Sequence, residues 1–281
     1  MGRLLLVATP IGNLNDMSPR AIETLKNADL IAAEDTRNSI RLLNHFGIKV
    51  PMTSYHEYNR IEKAEELIGK MQSGLDVALI TDAGMPAISD PGEDIVRMAY
   101  DAGIEVTIIP GPCAAVSALA VSGLPTGRFV FEGFLPNDSN KKEREARLEE
   151  LKNETRSIIF YEAPHRLVRT LKLLCDAFGS SRRASAVREI TKLHEETVRS
   201  TLGELLERYG DEEPKGEFVI VVEGRSRQEI LEQQRSRWDE ITIREHVERY
   251  IQEGLDKKEA MKKVAADRGI GKREVYKECT D

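Results

Sequence analysis

The polar residues of this chain that could do chemistry fall in short clusters, each directly behind an apolar run. The first is Glu34-Asp35-Thr36-Arg37, an acidic pair, a hydroxyl and an arginine in sequence. The second is LITDAGMPAISDPG, Leu79 to Gly92, which sets Asp82 and Asp90 in a loop with two glycines and two prolines. A third runs Glu162-Ala163-Pro164-His165-Arg166, and a fourth Arg188-Glu189-Ile190-Thr191-Lys192. Carboxylates, a histidine and a lysine suit proton transfer, and arginines suit contacts to anions. A strand end that carries several polar residues points to a cleft. Gly84 and Gly92 allow close backbone approach, while Pro86 and Pro91 stiffen the loop. Each cluster also has a plain structural reading. Asp35 or Thr36 is a natural N-cap for a helix over 37–45, Asp90 for the helix over 92–102, and a lone histidine at a helix start is commonly structural.

The apolar runs that must position these residues read as buried strands: 3–8, 29–33, 77–80 and 105–109. Helical patterns lie between them, with Ser18-Pro19 as cap and first helical residue of one. His56 to Met71 reads as another, with Ala64, Leu67, Ile68 and Met71 on one face. Strand and helix alternate to about residue 122, which predicts a largely parallel sheet and a first α/β domain over 1–122. The join of the fourth strand to Pro110-Gly111-Pro112-Cys113 and an Ala-rich helix offers free backbone N–H groups to a ligand. Gly123 to Gly127 is a hinge. The second domain, 123–225, holds strands at 129–131, 158–161, 184–187 and 218–222, with 196–201 pairing antiparallel; its sheet is expected to be mixed. A charged helix covers 141–153. Residues 226–281 contain no strand candidate and are expected to form short helices near 227–237, 243–253, 256–267 and 271–278. The last two, joined by Arg268-Gly269-Ile270-Gly271, have helix-turn-helix proportions. A solvated mini-bundle and a nucleic-acid-binding arm both fit that segment.

Composition narrows the classes. The chain has 281 residues, 40% hydrophobic and 32% charged, as a globular protein does. Its net charge of -7 gives no global attraction to nucleic acid, so any polyanion must meet a local basic patch. The three cysteines, Cys113, Cys175 and Cys279, are far apart and make no metal or disulfide framework, which favours a reducing cytoplasm. The apolar run at the N-terminus is too short for a signal peptide, and no stretch nears the roughly 20 apolar residues of a membrane span. Only Gly12 stands where a dinucleotide fingerprint needs three glycines. P-loop, nucleophile-elbow and metal motifs are absent. What remains is two α/β domains with a ligand crevice between them. Binding through backbone groups and a few side chains suits a cofactor with an adenosine part and charges of both signs. It suits a triphosphate badly.

TPIGNLND (9–16), LIAAEDTR (30–37), TDAGMPAISDPG (81–92), PGPCA (110–114), FEGFLP (131–136), FYEAPHR (160–166), REITK (188–192) and KGE…VVEG (215–224) occur in this order. Together they resemble the ribosomal RNA small-subunit methyltransferase I family, over nearly the whole chain. That family belongs to the tetrapyrrole-methylase fold, the class III methyltransferases. The resemblance implies an α/β fold of two lobes with a cofactor cleft between them and a small C-terminal helical segment. It implies transfer of the methyl of S-adenosylmethionine to the ribose 2′-hydroxyl of a cytidine in the decoding region of small-subunit ribosomal RNA. It also implies a homodimer acting on the small ribosomal subunit. The chain departs at Met85, where the family more usually has Thr, and at Thr81, where Ser is common.

By the same resemblance, Asp82, Ala83, Met85, Cys113, Ala114 and Tyr161 are the expected cofactor contacts, with Ala186 and Phe218 beside them. Methyl transfer needs an acceptor for the hydroxyl proton, and Glu34, Asp35, Glu162, His165 and Lys192 are the candidates. Arg37, Arg166 and Arg188, planar bidentate donors, are the expected RNA phosphate contacts. Two rivals stand beside this reading: a tetrapyrrole methylase on the same fold, and a ribosome-assembly protein that uses the cofactor as a structural ligand.

Overall fold

The short apolar runs become strands because each is bounded by turn residues and rich in residues that pack on a pleated surface. A computed structural model describes the whole chain except residues 211–213, 227, 231–235, 237, 239 and 280–281. Five strands, β1 (Arg3–Val7), β2 (Leu30–Ala33), β3 (Met52–Ser54), β4 (Val77–Ile80) and β5 (Glu105–Ile109), form a first sheet in the order β3-β2-β4-β1-β5. Every pairing in it is parallel. Helices α1 (Pro19–Asn27), α2 (Thr36–His45), α3 (Arg60–Gln72), α4 (Gly92–Asp101) and α5 (Ala114–Val121) alternate with the strands. Period-2 alternation sends Leu4, Leu6 and Leu79 to one face of the sheet, onto Leu67, Met71 and Ile95 of α3 and α4. It sends Leu5, Val7 and Ile80 to the other, onto Leu25 and Leu43 of α1 and α2. Each fully buried Leu or Ile in these layers contributes about 1.5–3 kcal/mol.

The second sheet joins β6 (Phe129–Phe134), β7 (Ser157–Glu162), β8 (Arg183–Arg188), β9 (Glu196–Thr201) and β10 (Phe218–Val222) in the order β6-β7-β10-β8-β9. β6 runs parallel to β7, and the other three pairings are antiparallel, so the sheet is mixed as expected. Helices α6 (Lys141–Leu151), α7 (Leu167–Phe178) and α8 (Leu202–Gly210) connect these strands. Toward the C-terminus come α9 (Ile243–Gln252), α10 (Lys257–Arg268) and α11 (Lys272–Cys279), close to the expected spans. They bury Val247, Tyr250, Val264 and Val275 against one another. α9 opens with a capping box between Thr242 and Glu245, and α10 ends on Gly269 in the left-handed region at φ 62°. The helix expected over 227–237 falls mostly outside the described residues. The chain divides into two compact units, residues 1–145 with 157–223, and residues 146–156 with 224–281. Both sheets belong to the first.

Local sequence signals account for most boundaries. Ser18 Oγ accepts from Ala21 N at 3.1 Å, and Asp35 Oδ1 from Arg37 N at 2.8 Å, so both expected caps form. The helix expected from His56 starts only at Arg60, because His56 N donates to Asn59 Oδ1 at 2.9 Å and holds a turn there. Among the described residues no helix is long and apolar enough to cross a membrane.

Ion pairs on exposed and half-exposed faces make an acid-sensitive set. Arg37 holds the Asp35 carboxyl at about 2, Lys63 and Lys70 hold Glu66 at about 2, and Arg156 holds Glu154 at about 2. A carboxyl depressed by folding stabilises fully above its unfolded value, near 4, and that contribution is lost as pH falls through the folded value. The melting temperature is therefore expected to fall between about pH 4.5 and pH 2. The slope should flatten in high salt, because exposed pairs are screened. Thermal melts across that range at two ionic strengths check this; a slope indifferent to salt would contradict it.

Candidate functional site

The loop after β4 is bonded at several points. Thr9 and Gly84 exchange backbone hydrogen bonds of 2.9 and 3.1 Å, and Thr9 Oγ1 donates to the Thr81 carbonyl at 3.1 Å. Thr81 Oγ1 donates to Glu34 Oε2 at 2.7 Å. Asp82 accepts from Asp35 N at 3.1 Å and from Asn38 Nδ2 at 3.2 Å. These bonds join the loop to the ends of β1 and β2. Farther along, the buried Tyr55 hydroxyl donates to the Pro91 carbonyl at 2.8 Å.

Among the described residues, the non-glycine residues with positive φ are Ala87 (67°), Ser89 (63°), Glu189 (50°) and Thr191 (68°). They occur as two pairs, one in the loop after β4 and one in the loop after β8. Such backbone costs on the order of 1–3 kcal/mol per residue and persists only where its surroundings hold it.

Both loops reach a cavity of about 600 Å³ that is lined by both sheets' strand ends. That size is within the range of small-molecule sites, about 300–1,000 Å³. Ile88, Phe134, Val187 and Phe218 supply apolar wall. Glu34, Asp82, Asp90, Glu162 and Glu217 supply carboxylates, and no Arg or Lys lines it among the described residues. This lining suits a ligand with a flat apolar part and a cationic centre, and it opposes a polyphosphate.

The sequence-predicted residues separate on this geometry. Glu34, Asp82, Ala83, Met85, Cys113, Ala114, Tyr161, Glu162, His165 and Phe218 all line the cavity. Ala186 does not; the next residue on β8, Val187, does. Successive residues of a strand face opposite sides, and β8 is buried on both, so apolarity could not tell the two apart. The amide of Ala115, in the first turn of α5, is not left for a ligand, since it donates to Tyr161 Oη at 3.2 Å. Burial pushes the Tyr161 phenol up to about 12, and Phe131 and Phe134 stand edge-on to its ring at 4.9 and 5.7 Å.

The candidate proton acceptors are mostly occupied. Glu162 is 2% exposed; it accepts from Ala163 N at 2.8 Å and Thr170 Oγ1 at 2.5 Å, with Arg166 Nε at 3.4 Å. Asp35 is depressed and paired with Arg37, outside the cavity wall. Lys192 Nζ bonds Glu189 Oε1 at 2.8 Å and Glu217 Oε2 at 2.9 Å. Burial works against the Lys192 charge, but its two carboxylate partners outweigh it and hold the ammonium above its ordinary value. Its stem lies over Gly12, where a Cβ would come within 2.4 Å of Lys192 Cγ. His165 is exposed at the cavity, in a short 3-10 turn over Pro164–Arg166. Of the arginines, Arg37 is exposed, Arg166 donates to the Leu135 carbonyl at 2.6 Å, and Arg188 has a buried Nε without a hydrogen-bond partner. Glu217 was not among the residues expected at the site, and Asp90, part of the second polar cluster, was given no role there beyond a helix cap. The charged KGE turn ahead of β10 is the only signal for the first.

A family model of tetrapyrrole (corrin/porphyrin) methylases matches residues 3–206. The chain is 46% identical to a ribosomal RNA small subunit methyltransferase I of Bacillus subtilis (strain 168), covering 98% of this chain and 93% of that one. It is 50% identical to the protein of the same name from Halalkalibacterium halodurans, with 98% and 93% covered. The chain belongs to the ribosomal RNA small subunit methyltransferase I family. As a member of this family it is an S-adenosylmethionine-dependent methyltransferase. The fold agrees with solved relatives of low identity. Diphthine synthase superimposes with a TM-score of 0.60 at 15% identity, over 80% of this chain and 91% of that one. A cobalt precorrin-4 methyltransferase gives 0.59 at 17%, over 79% and 94%. The cavity fits the family's cofactor on its own chemistry: carboxylates for a sulfonium, with no lining Arg or Lys among the described residues, and apolar wall for an adenine.

Proposed function

We propose that this chain methylates the ribose 2′-hydroxyl of a cytidine in the decoding region of small-subunit ribosomal RNA. The observation that carries this reading is the near full-length identity to relatives named for that RNA subunit. The bound cofactor would supply an electrophilic methyl on a sulfonium. Asp82, Ala83, Met85, Cys113, Ala114, Tyr161 and Phe218 would hold it, because they line one cavity. Val187 takes the place first given to Ala186. The protein's work is to align the hydroxyl oxygen behind the methyl, exclude water and receive the proton. Lys192, held as an ammonium, is a poor base; it braces the loop after β8 against Gly12 instead. Arg37 reaches solvent and would meet phosphate. Arg166 and Arg188 would hold the wall on which the RNA rests. The same reading carries a homodimer, a cytoplasmic location and an RNA contact through the basic residues of 226–281.

The test maps 2′-O-methylation in small-subunit RNA from cells with and without the gene, and repeats the transfer with purified protein and labelled cofactor. One cytidine gaining a methyl only when the protein is present supports the reading. Unchanged RNA, or a methyl on a base, would overturn it.

A further inference from the structure

The carboxylates of the cavity differ in one respect. Glu34 accepts from the Thr81 hydroxyl, Asp82 from the Asn38 amide, Glu162 from the Thr170 hydroxyl and Glu217 from the Lys192 ammonium. Among the described residues Asp90 receives no side-chain donor. Its Oδ1 is pinned by two backbone amides, Ala87 N at 3.0 Å and Gly92 N at 2.7 Å. Its Oδ2 is buried and has no hydrogen-bond partner. Buried acceptors are nearly always satisfied, so an unpartnered one on a residue that lines a ligand cavity calls for a donor that a small movement of the loop would admit.

The surroundings fix that oxygen in place. Ala87 and Ser89 hold positive φ at 67° and 63° on either side of the turn. Tyr55 ties down the Pro91 carbonyl. A Cβ at residue 92 would lie 2.7 Å from Asp90 Oδ1 and 2.8 Å from Ala87 N, so glycine alone lets the two amides converge on one oxygen. A strained loop thus orients a single carboxylate edge.

We infer that Asp90 Oδ2 is the acceptor for the proton of the methylated hydroxyl. This rests on the 2′-hydroxyl reading above. The O–H bond of the ribose breaks toward Oδ2. The freed oxygen pair forms the bond to the methyl carbon, and the pair of the broken C–S bond stays on sulfur as a neutral thioether. Asp90 leaves the step as a carboxylic acid and returns its proton to solvent. Burial raises the Asp90 carboxyl above its ordinary value, the nearby Glu34 charge adds to this, and the backbone amides of Gly92, Ala87 and Ile88 oppose it. A carboxylate so raised is a better base. Besides Glu34, the Tyr55 phenol is coupled to the Asp90 charge, and Asp82, Glu162, His165 and Glu217 line the same cavity.

The test is Asp90→Asn, which keeps an oxygen for the two amides and loses the acceptor. Turnover at saturating cofactor is expected to fall about 100-fold or more. Calorimetric affinity for the demethylated cofactor should be unchanged, and the melting temperature at neutral pH should be no lower. Wild-type kcat/KM should fall on the acid side with its midpoint at the pH at which carbon NMR sees the Asp90 carboxyl titrate in the ligand-free protein. That comparison needs no variant and holds even where the substitution fails to fold. Full turnover in Asp90→Asn, differing midpoints in the wild type, or a defect confined to cofactor affinity would each overturn the proposal. The last would assign Oδ2 to a hydroxyl of the cofactor ribose. If the wild-type protein itself transfers no methyl to a 2′-hydroxyl, the parent reading fails instead.

Discussion

Glu162→Ala is expected to lower folding stability by about 3 kcal/mol, the effect of removing one partner of a buried charge pair. For a protein of this size that is a fall in melting temperature on the order of 10 °C. The reason lies in what Glu162 holds. It sits at the end of β7, nearly inaccessible, and gathers the Ala163 amide, the Thr170 hydroxyl and the Arg166 side chain. Alanine would leave a buried hydroxyl and amide without an acceptor and Arg166 without its counter-charge. Arg166 in turn bonds the Leu135 carbonyl, so the loop behind β6 should loosen as well. Glu162→Gln retains an acceptor and should lose less, about 1 kcal/mol. Differential scanning calorimetry on both variants decides this. A normal melting temperature together with abolished turnover would return Glu162 to the role of proton acceptor that its place in the sequence suggested.

The second large effect is expected at Gly92. Gly92→Ala should cut methyl transfer by about 100-fold, since a misplacement near 1 Å at a reacting group costs that much. The added carbon would meet Asp90 Oδ1 at 2.7 Å and the Ala87 backbone at 2.8 and 3.0 Å. None of these is the loose end of a long side chain, so the loop itself must shift. Overpacking of this kind costs about 1–3 kcal/mol, so the protein should still fold. The loop that moves also carries Met85 and Ile88 of the cavity wall, and cofactor affinity should drop with the rate. Single-turnover rates and cofactor isotherms measure both. A variant with wild-type values for each would mean that this loop is not part of the site.

The sequence was most legible where one signal acted alone. Alternating strands and helices announced the parallel first sheet, the cap at Ser18 marked the start of α1, and of the two caps open for α2, Asp35 and Thr36, the structure uses Asp35. The clusters at Glu34, Asp82 and Glu162 were visible as polar residues behind apolar runs, and all three reach one cavity. Legibility failed where the outcome depended on distant partners. Lys192 looked like a possible base until Glu189 and Glu217 came within bonding distance of it. Asp90 looked like a helix cap. It does bond Gly92 N, but its second oxygen lacks a donor, and only three-dimensional packing reveals that. Ala186 and Val187 are apolar, equally buried neighbours on a strand covered on both faces, so no periodicity separates them.

The second compact unit is closed by two stretches far apart in the chain, 146–156 and 224–281. Arg225 N reaches back to the Glu154 carbonyl at 2.6 Å, and the Gly224 backbone lies against Thr155. The terminal helices are therefore not a cassette that can be cut off or grafted as one continuous piece. During translation the earlier stretch leaves the ribosome before its companion, so this unit cannot close until the later stretch has followed.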